Sequence, residues 1–377
     1  MRNWLAFLFA IAVPIWVTAE PTGYQPADYQ LQVLAEPLEH PWSIAFLPDG
    51  TILVTERPGR LRLVAADGLQ PMPIGGLPAV FASGQAGLLD VLLAEDFEDS
   101  GILFLSFAYG NEDDNHTRIV RAQFNGQELL DVTPIFTTKP SKSGNAHYGG
   151  RMAWMADGTL LLGTGDGFYF REEAQNLASH LGKIIRIHAD GSVPDDNPFV
   201  GTANARPEIY SFGHRNVQAI VTDQDQGIIY AHEHGPRGGD ELNIILPGLN
   251  YGWPIISHGK DYSRALITPF TAYTGMEQPL LYWTPSIAPA GMTLYYGGLF
   301  PQWQGSFFVA ALAEESVRRV PMLDGGIPGV QDILFEELGQ RIRDIRTGPD
   351  GALYLITDEA EGQLIRVAPP REPTARH

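Results

Sequence analysis

Two residues invite a chemical reading first. His147 stands in His147-Tyr148-Gly149-Gly150-Arg151, and Asp166 follows 19 residues later in Gly163-Thr164-Gly165-Asp166-Gly167. Taken singly, one is a hydrogen-bonded loop histidine and the other a turn carboxylate. Together they flank a predicted strand over 152–162 and can meet again across it. A carboxylate that accepts from one imidazole nitrogen leaves the other free to take a proton, which is general-base chemistry. The glycines around Asp166 are not a dinucleotide fingerprint, because no strand–helix unit surrounds them.

Three further segments carry polar groups in unusual combinations. Phe212-Gly213-His214-Arg215-Asn216-Val217-Gln218 places a guanidinium beside an amide. Both bond in a plane and suit a planar polyoxygenated ligand, or equally a surface ion pair. His232-Glu233-His234-Gly235-Pro236-Arg237-Gly238-Gly239-Asp240-Glu241 spaces two histidines by two, but no third transition-metal ligand is evident. Its carboxylates and Gly/Pro carbonyls suit calcium better, since that ion takes many oxygen ligands. Asn250-Tyr251-Gly252-Trp253-Pro254 is placed to close such a loop. Gly339-Gln340-Arg341-Ile342-Arg343-Asp344 puts Arg341 and Arg343 on one face of a strand. They would repel unless an anion lies between them, or they pair with nearby carboxylates on a solvated edge. No Gly-x-Ser-x-Gly elbow, phosphate loop or His-Glu-x-x-His is present.

The elements that must position these residues come from a repeat. A Gly turn followed by β-formers recurs at Gly50, Gly101, Gly158, Gly227, Gly305 and Gly351, with spacings of 51, 57, 69, 78 and 46 residues. Such spacing, with 41 Gly and 29 Pro in 377 residues, predicts an all-β fold. The architecture expected is a six-bladed β-propeller of four-stranded antiparallel blades, spanning 20–377 as one domain. The longest gaps, between Gly158 and Gly305, hold most of the polar motifs, so long loops there should build the site.

Residues 1–19 read as a signal peptide. Arg2, the apolar run 4–17 and Val17-Thr18-Ala19 supply its three parts, so export is expected. The run is short for a bilayer span and contains Pro14. With no cysteine, an exported chain must rely on its core and on any bound metal. Thiol nucleophiles are excluded. A formal charge of −19 opposes nucleic acid and anionic lipid as partners and suits calcium or an uncharged substrate.

Taken in order, these motifs resemble the soluble PQQ-dependent (pyrroloquinoline quinone) glucose and aldose sugar dehydrogenases. The similarity runs from His40-Pro41-Trp42 to Gln363-Leu364-Ile365 and includes Gly84-Gln85-Ala86-Gly87-Leu88-Leu89. The resemblance implies His147 as base, Asp166 as its orienting partner and Arg215 as a carrier of developing charge. It further implies Gln85, His147, Arg215, Asn216, Tyr262, Arg341 and Arg343 as PQQ contacts. The carbonyls of Gly235 and Pro236 would hold the calcium beside PQQ, and Glu241 with Tyr251 a second, structural calcium. The implied reaction is oxidation of an aldose at C1 to a lactone, with an external electron acceptor, by a periplasmic or secreted monomer or homodimer. One position departs from the family: Ala313 stands where a lysine beside PQQ is expected. Arg318 and Arg319 are the candidates to compensate for it. Two other readings stay open, a calcium-dependent lactonase or esterase and a cofactor-free binding propeller.

Overall fold

The computed structural model describes residues 29–370; the expected signal peptide lies outside them. Six antiparallel sheets stand around a central channel. Their innermost strands are Pro41–Phe46, Leu88–Leu93, Gly149–Trp154, Val217–Asp223, Pro289–Tyr295 and Ile342–Thr347, each packed on the next to close a ring. The six-bladed expectation holds. In blade five the outer position is divided between Ile327–Pro328 and Asp332–Leu334. Blade six is completed by the N-terminal strand Gln30–Leu38, which pairs with Gly362–Ala368 from Gln30↔Ala368 to Leu38↔Gly362. That pairing joins the first and last strands of the described residues and closes the ring.

The repeat has a physical origin. In every blade its glycine turns the first strand into the second, with φ between +65° and +86°. A side chain there would be strained, whereas glycine adopts this conformation freely. The runs that follow are buried on both faces, as Leu53 and Val54 illustrate. Apolar packing accordingly falls between blades: Leu53, Leu61, Leu105 and Val120 between the first two, Leu38, Val54, Ile356 and Leu364 across the closure. One correction follows. The stretch 152–162 is not a single strand but the hairpin Gly149–Trp154 and Leu160–Thr164, because Gly158 turns it.

The glycine turns all lie at one end of the channel. The other end is therefore built by the starts of the first strands and the ends of the second strands. His147, Arg215 and Arg341 precede first strands, while Asp166, Glu233 and Asp358 end or follow second strands. Sequence-distant polar residues thus converge on one mouth. The long connection 246–280 of blade four adds Trp253 and Tyr262 to it.

Below the mouth the channel is plugged. Arg151, 1 % exposed, bonds from Nη1 to Asp90 Oδ1 (3.2 Å) and Asp344 Oδ2 (3.3 Å), and from Nε to the Gln218 carbonyl (3.1 Å). Arg346 adds Nε to Asp344 Oδ2 at 3.1 Å. Gly291 leaves room for this: a methyl group there would sit 1.8 Å from Asp344 Oδ1.

Candidate active site

His147 and Asp166 meet at the open end of the blade-three hairpin. Nδ1 lies 2.7 Å from Asp166 Oδ1, and both side chains are buried. The carboxylate can only accept here, so Nδ1 carries the proton and Nε2 is the nitrogen left for the cavity. Asp166 is fixed in turn. Its Oδ2 accepts the Trp253 indole N–H at 2.8 Å and its Oδ1 the Phe168 N–H at 2.8 Å. The His147 backbone, at φ +54°, donates its N–H to Gln85 Oε1 at 2.9 Å. Phe168 packs edge-on against the imidazole, with ring centres 5.0 Å apart.

Charge tunes this pair. Burial and the nearby Arg215 cation hold the His147 pKa below its ordinary 6.5, against the pull of Asp166. Burial pushes Asp166 up, but the hydrogen bond and charge of His147, with Arg215, outweigh it and hold the carboxyl low. The imidazole is thus neutral and able to accept a proton, and its partner is ionised.

Arg215 is the hub of the mouth. Its N–H donates to the Glu233 carboxylate, and Nη1 donates to the carbonyls of His234 (3.0 Å) and Gly235 (2.8 Å). Its guanidinium lies 5.3 Å from the Trp253 ring centre and 6.0 Å from that of Tyr262, a ring 55 % exposed in the mouth. Asn216 Oδ1 accepts the Gly149 N–H at 3.1 Å, tying blade four to the strand after His147. His147, Asp166, Phe168, Arg215, Pro236 and Tyr262 line a cavity of about 390 Å³.

A second cavity, of about 260 Å³, runs deeper and is lined by Gln85, Asn216, Tyr262, Arg57, Arg341, Arg343 and Asp358 among others. Arg341 and Arg343 do share a side, and the anion between them is Asp358, at 3.7 Å and 2.5 Å. Burial opposes ionisation of Asp358, but Arg343, Arg57 and Arg341 together drive its pKa far down. Arg343 Nε remains buried without a partner. These guanidiniums and planar amides fit a flat, polycarboxylated quinone such as PQQ.

The calcium expectations divide. The Gly235 carbonyl already accepts from Arg215, so a cation on Gly235 and Pro236 would sit beside that guanidinium charge. Glu241 fits more readily. It sits with Glu233 and Tyr251 around a small void, and burial followed by the Glu233 charge pushes its carboxyl pKa well up. Two carboxylates crowded in a buried place form a donor set for a hard dication. The Tyr251 phenol donates to the Ile244 carbonyl at 2.7 Å, leaving its own carbonyl as the oxygen to offer. His232 and His234 do not form a metal pair: His234 Nε2 bonds the Pro289 carbonyl at 2.7 Å. Among the described residues no cluster of three or more His, Asp or Glu could hold a metal.

Three site residues escaped the sequence reading. Trp253 was visible within its motif, and a buried indole N–H needs a partner. Asp358 and Arg57 belong to ordinary-looking strand ends and carry no local signal. Arg318 and Arg319 do not compensate for Ala313, since they are committed to Glu314 (2.6 Å) and Asp332 (2.5 Å).

Comparison with known proteins agrees with this geometry. The sequence pattern of the Glucose / Sorbosone dehydrogenase family matches residues 38–366. The aldose sugar dehydrogenase YliI of Escherichia coli K12 is 39 % identical over 364 residues, covering 95 % of this chain and 97 % of that protein. A crystal structure of a glucose dehydrogenase is 44 % identical and superposes with a TM-score of 0.87 over 89 % of this chain and 99 % of the other. The PQQ-bound aldose sugar dehydrogenase of Streptomyces coelicolor is 29 % identical, with a TM-score of 0.73 over 91 % and 99 % of the two chains. The chain belongs to the glucose/sorbosone dehydrogenase family.

Proposed function

We propose that the protein oxidises aldose sugars at C1 to lactones, with PQQ as its quinone, calcium as its companion ion and an external electron acceptor. The observation that carries this is the His147–Asp166 pair, 2.7 Å apart and opening onto a cavity that shares Tyr262 with a neighbouring, arginine-rich one. His147 Nε2 takes the proton of the anomeric hydroxyl, which leaves the oxygen electron-rich and C1 ready to give up its hydrogen as hydride. Bound PQQ supplies the two-electron acceptor for that hydride. Asp166, held by Trp253, keeps the imidazole in the required tautomer and stabilises the imidazolium that forms. Arg215 places a positive charge beside the reacting atoms. Phe168 and Tyr262 wall the cavity.

The PQQ-bound Streptomyces relative supports the choice of quinone, and the Glu233–Glu241 pair supports a calcium at that place. Residues 1–19 support export as a further part of the proposal, testable by mass spectrometry of the N-terminus of exported protein. Apoprotein reconstituted with PQQ and calcium should bleach an artificial electron-accepting dye when aldoses are added. No bleaching with any aldose, by protein shown to hold PQQ, contradicts the proposal.

A further inference from the structure

Arg57 is a residue of the mouth that neither the motifs nor the family resemblance singled out. It follows the second strand of blade one, Ile52–Glu56. Its backbone is pinned on both sides: its N–H donates to the His40 carbonyl (3.1 Å) and its carbonyl accepts from the Leu88 N–H (3.0 Å). The side-chain stem then lies across Gly87, where a Cβ would meet Arg57 Cγ at 2.3 Å, so only glycine admits it. The head lines the deep cavity with Arg341, Arg343 and Asp358.

What distinguishes Arg57 is its lack of a partner. Among the described residues its guanidinium donates to no carboxylate, carbonyl or amide. The adjacent Glu56 is taken by Arg60 and Arg62, and Asp358 by Arg343, Arg341 and His40. Three arginines therefore face one carboxylate inside an acidic protein. Their mutual repulsion favours a ligand that brings several negative charges. From blade five the cavity is lined by Leu312, whose carbonyl accepts from Arg341 at 3.3 Å, and the residue that follows it, Ala313, offers no charge.

We propose that Arg57 is a cofactor-binding residue that donates to a carboxylate of PQQ, supplying from blade one the cation that blade five lacks. The inference rests on the PQQ reading. Its test is titration of calcium-loaded apoprotein with PQQ and with the PQQ trimethyl ester, followed by the spectrum of the quinone. Arg57→Gln should weaken PQQ binding by about 10- to 100-fold, the range for losing a charge-assisted bond. Arg57→Lys should restore part of it, the ester should bind both proteins equally, and the unliganded melting temperature should not move. Equal PQQ affinity in wild type and Arg57→Gln, or an equal loss for acid and ester, overturns the inference alone. A wild-type protein that does not bind PQQ overturns it together with the proposed cofactor.

Discussion

The channel plug and the mouth are both built from arginine and aspartate, yet they are balanced differently. In the plug, Arg151 and Arg346 face Asp90 and Asp344, two charges of each sign. In the deep part of the mouth, Arg57, Arg341 and Arg343 face Asp358 alone. A neutral buried network holds blades together and asks nothing of solvent or ligand. A network short of anions is poised to bind one. Charge imbalance, rather than the presence of charge, is what separates the working end of this propeller from its structural middle.

That contrast can be broken first in the plug. Arg151→Met leaves Asp90 and Asp344 short of a partner and should cost about 3–5 kcal/mol, as for other broken buried pairs. Urea unfolding would measure it, and PQQ affinity per folded molecule should stay unchanged. Next, removing calcium should lower the unfolding free energy by about 3–4 kcal/mol if the ion is present at 100–1,000 times its dissociation constant. Glu241→Gln should abolish the difference between chelated and calcium-loaded melting curves.

A smaller effect should appear with pH. Burial, with Arg151 nearby, holds the His232 pKa down to about 3 from its ordinary 6.5. Between those values the unfolded chain binds a proton there and the folded chain does not. Stability should therefore fall as pH drops below 6.5, by up to about 1.4 kcal/mol per pH unit from this residue. Denaturant titrations across that window should show a slope that His232→Leu flattens. Asp358 in the mouth adds to the slope only near and below its ordinary pKa of 3.8, where the unfolded carboxyl takes up a proton and the folded one does not. A smaller loss than for Arg151→Met should come from Arg343→Gln, because Asp358 keeps Arg341 and His40 and like-charge crowding among the arginines is relieved. PQQ binding should nevertheless weaken, which is the reverse of the Arg151 result.

The blades were legible because a hairpin glycine leaves a local mark in the sequence, six times over. His147, Asp166, Arg215 and the Arg341/Arg343 pair were legible because each sits in a compact polar motif. Arg57 and Asp358 were not, since they meet only when the ring closes and nothing within ten residues of either announces a partner. The channel plug was hidden for the same reason. Arg151 was seen only as the tail of the His147 motif, although its partners lie 61 and 193 residues away. The strand expected over 152–162 went wrong where a local rule, the Gly158 turn, was applied to counting blades but not to that segment.

The central claim is that His147 takes the proton while PQQ takes the hydride, and turnover measured per bound PQQ in His147→Ala tests it most directly. The variant should hold PQQ and melt nearly as the wild type does, while turnover falls by about 10²–10⁴-fold, the usual worth of a positioned base. Asp166→Asn should lose less, since the imidazole survives. Near-normal turnover per bound cofactor in His147→Ala would contradict the account.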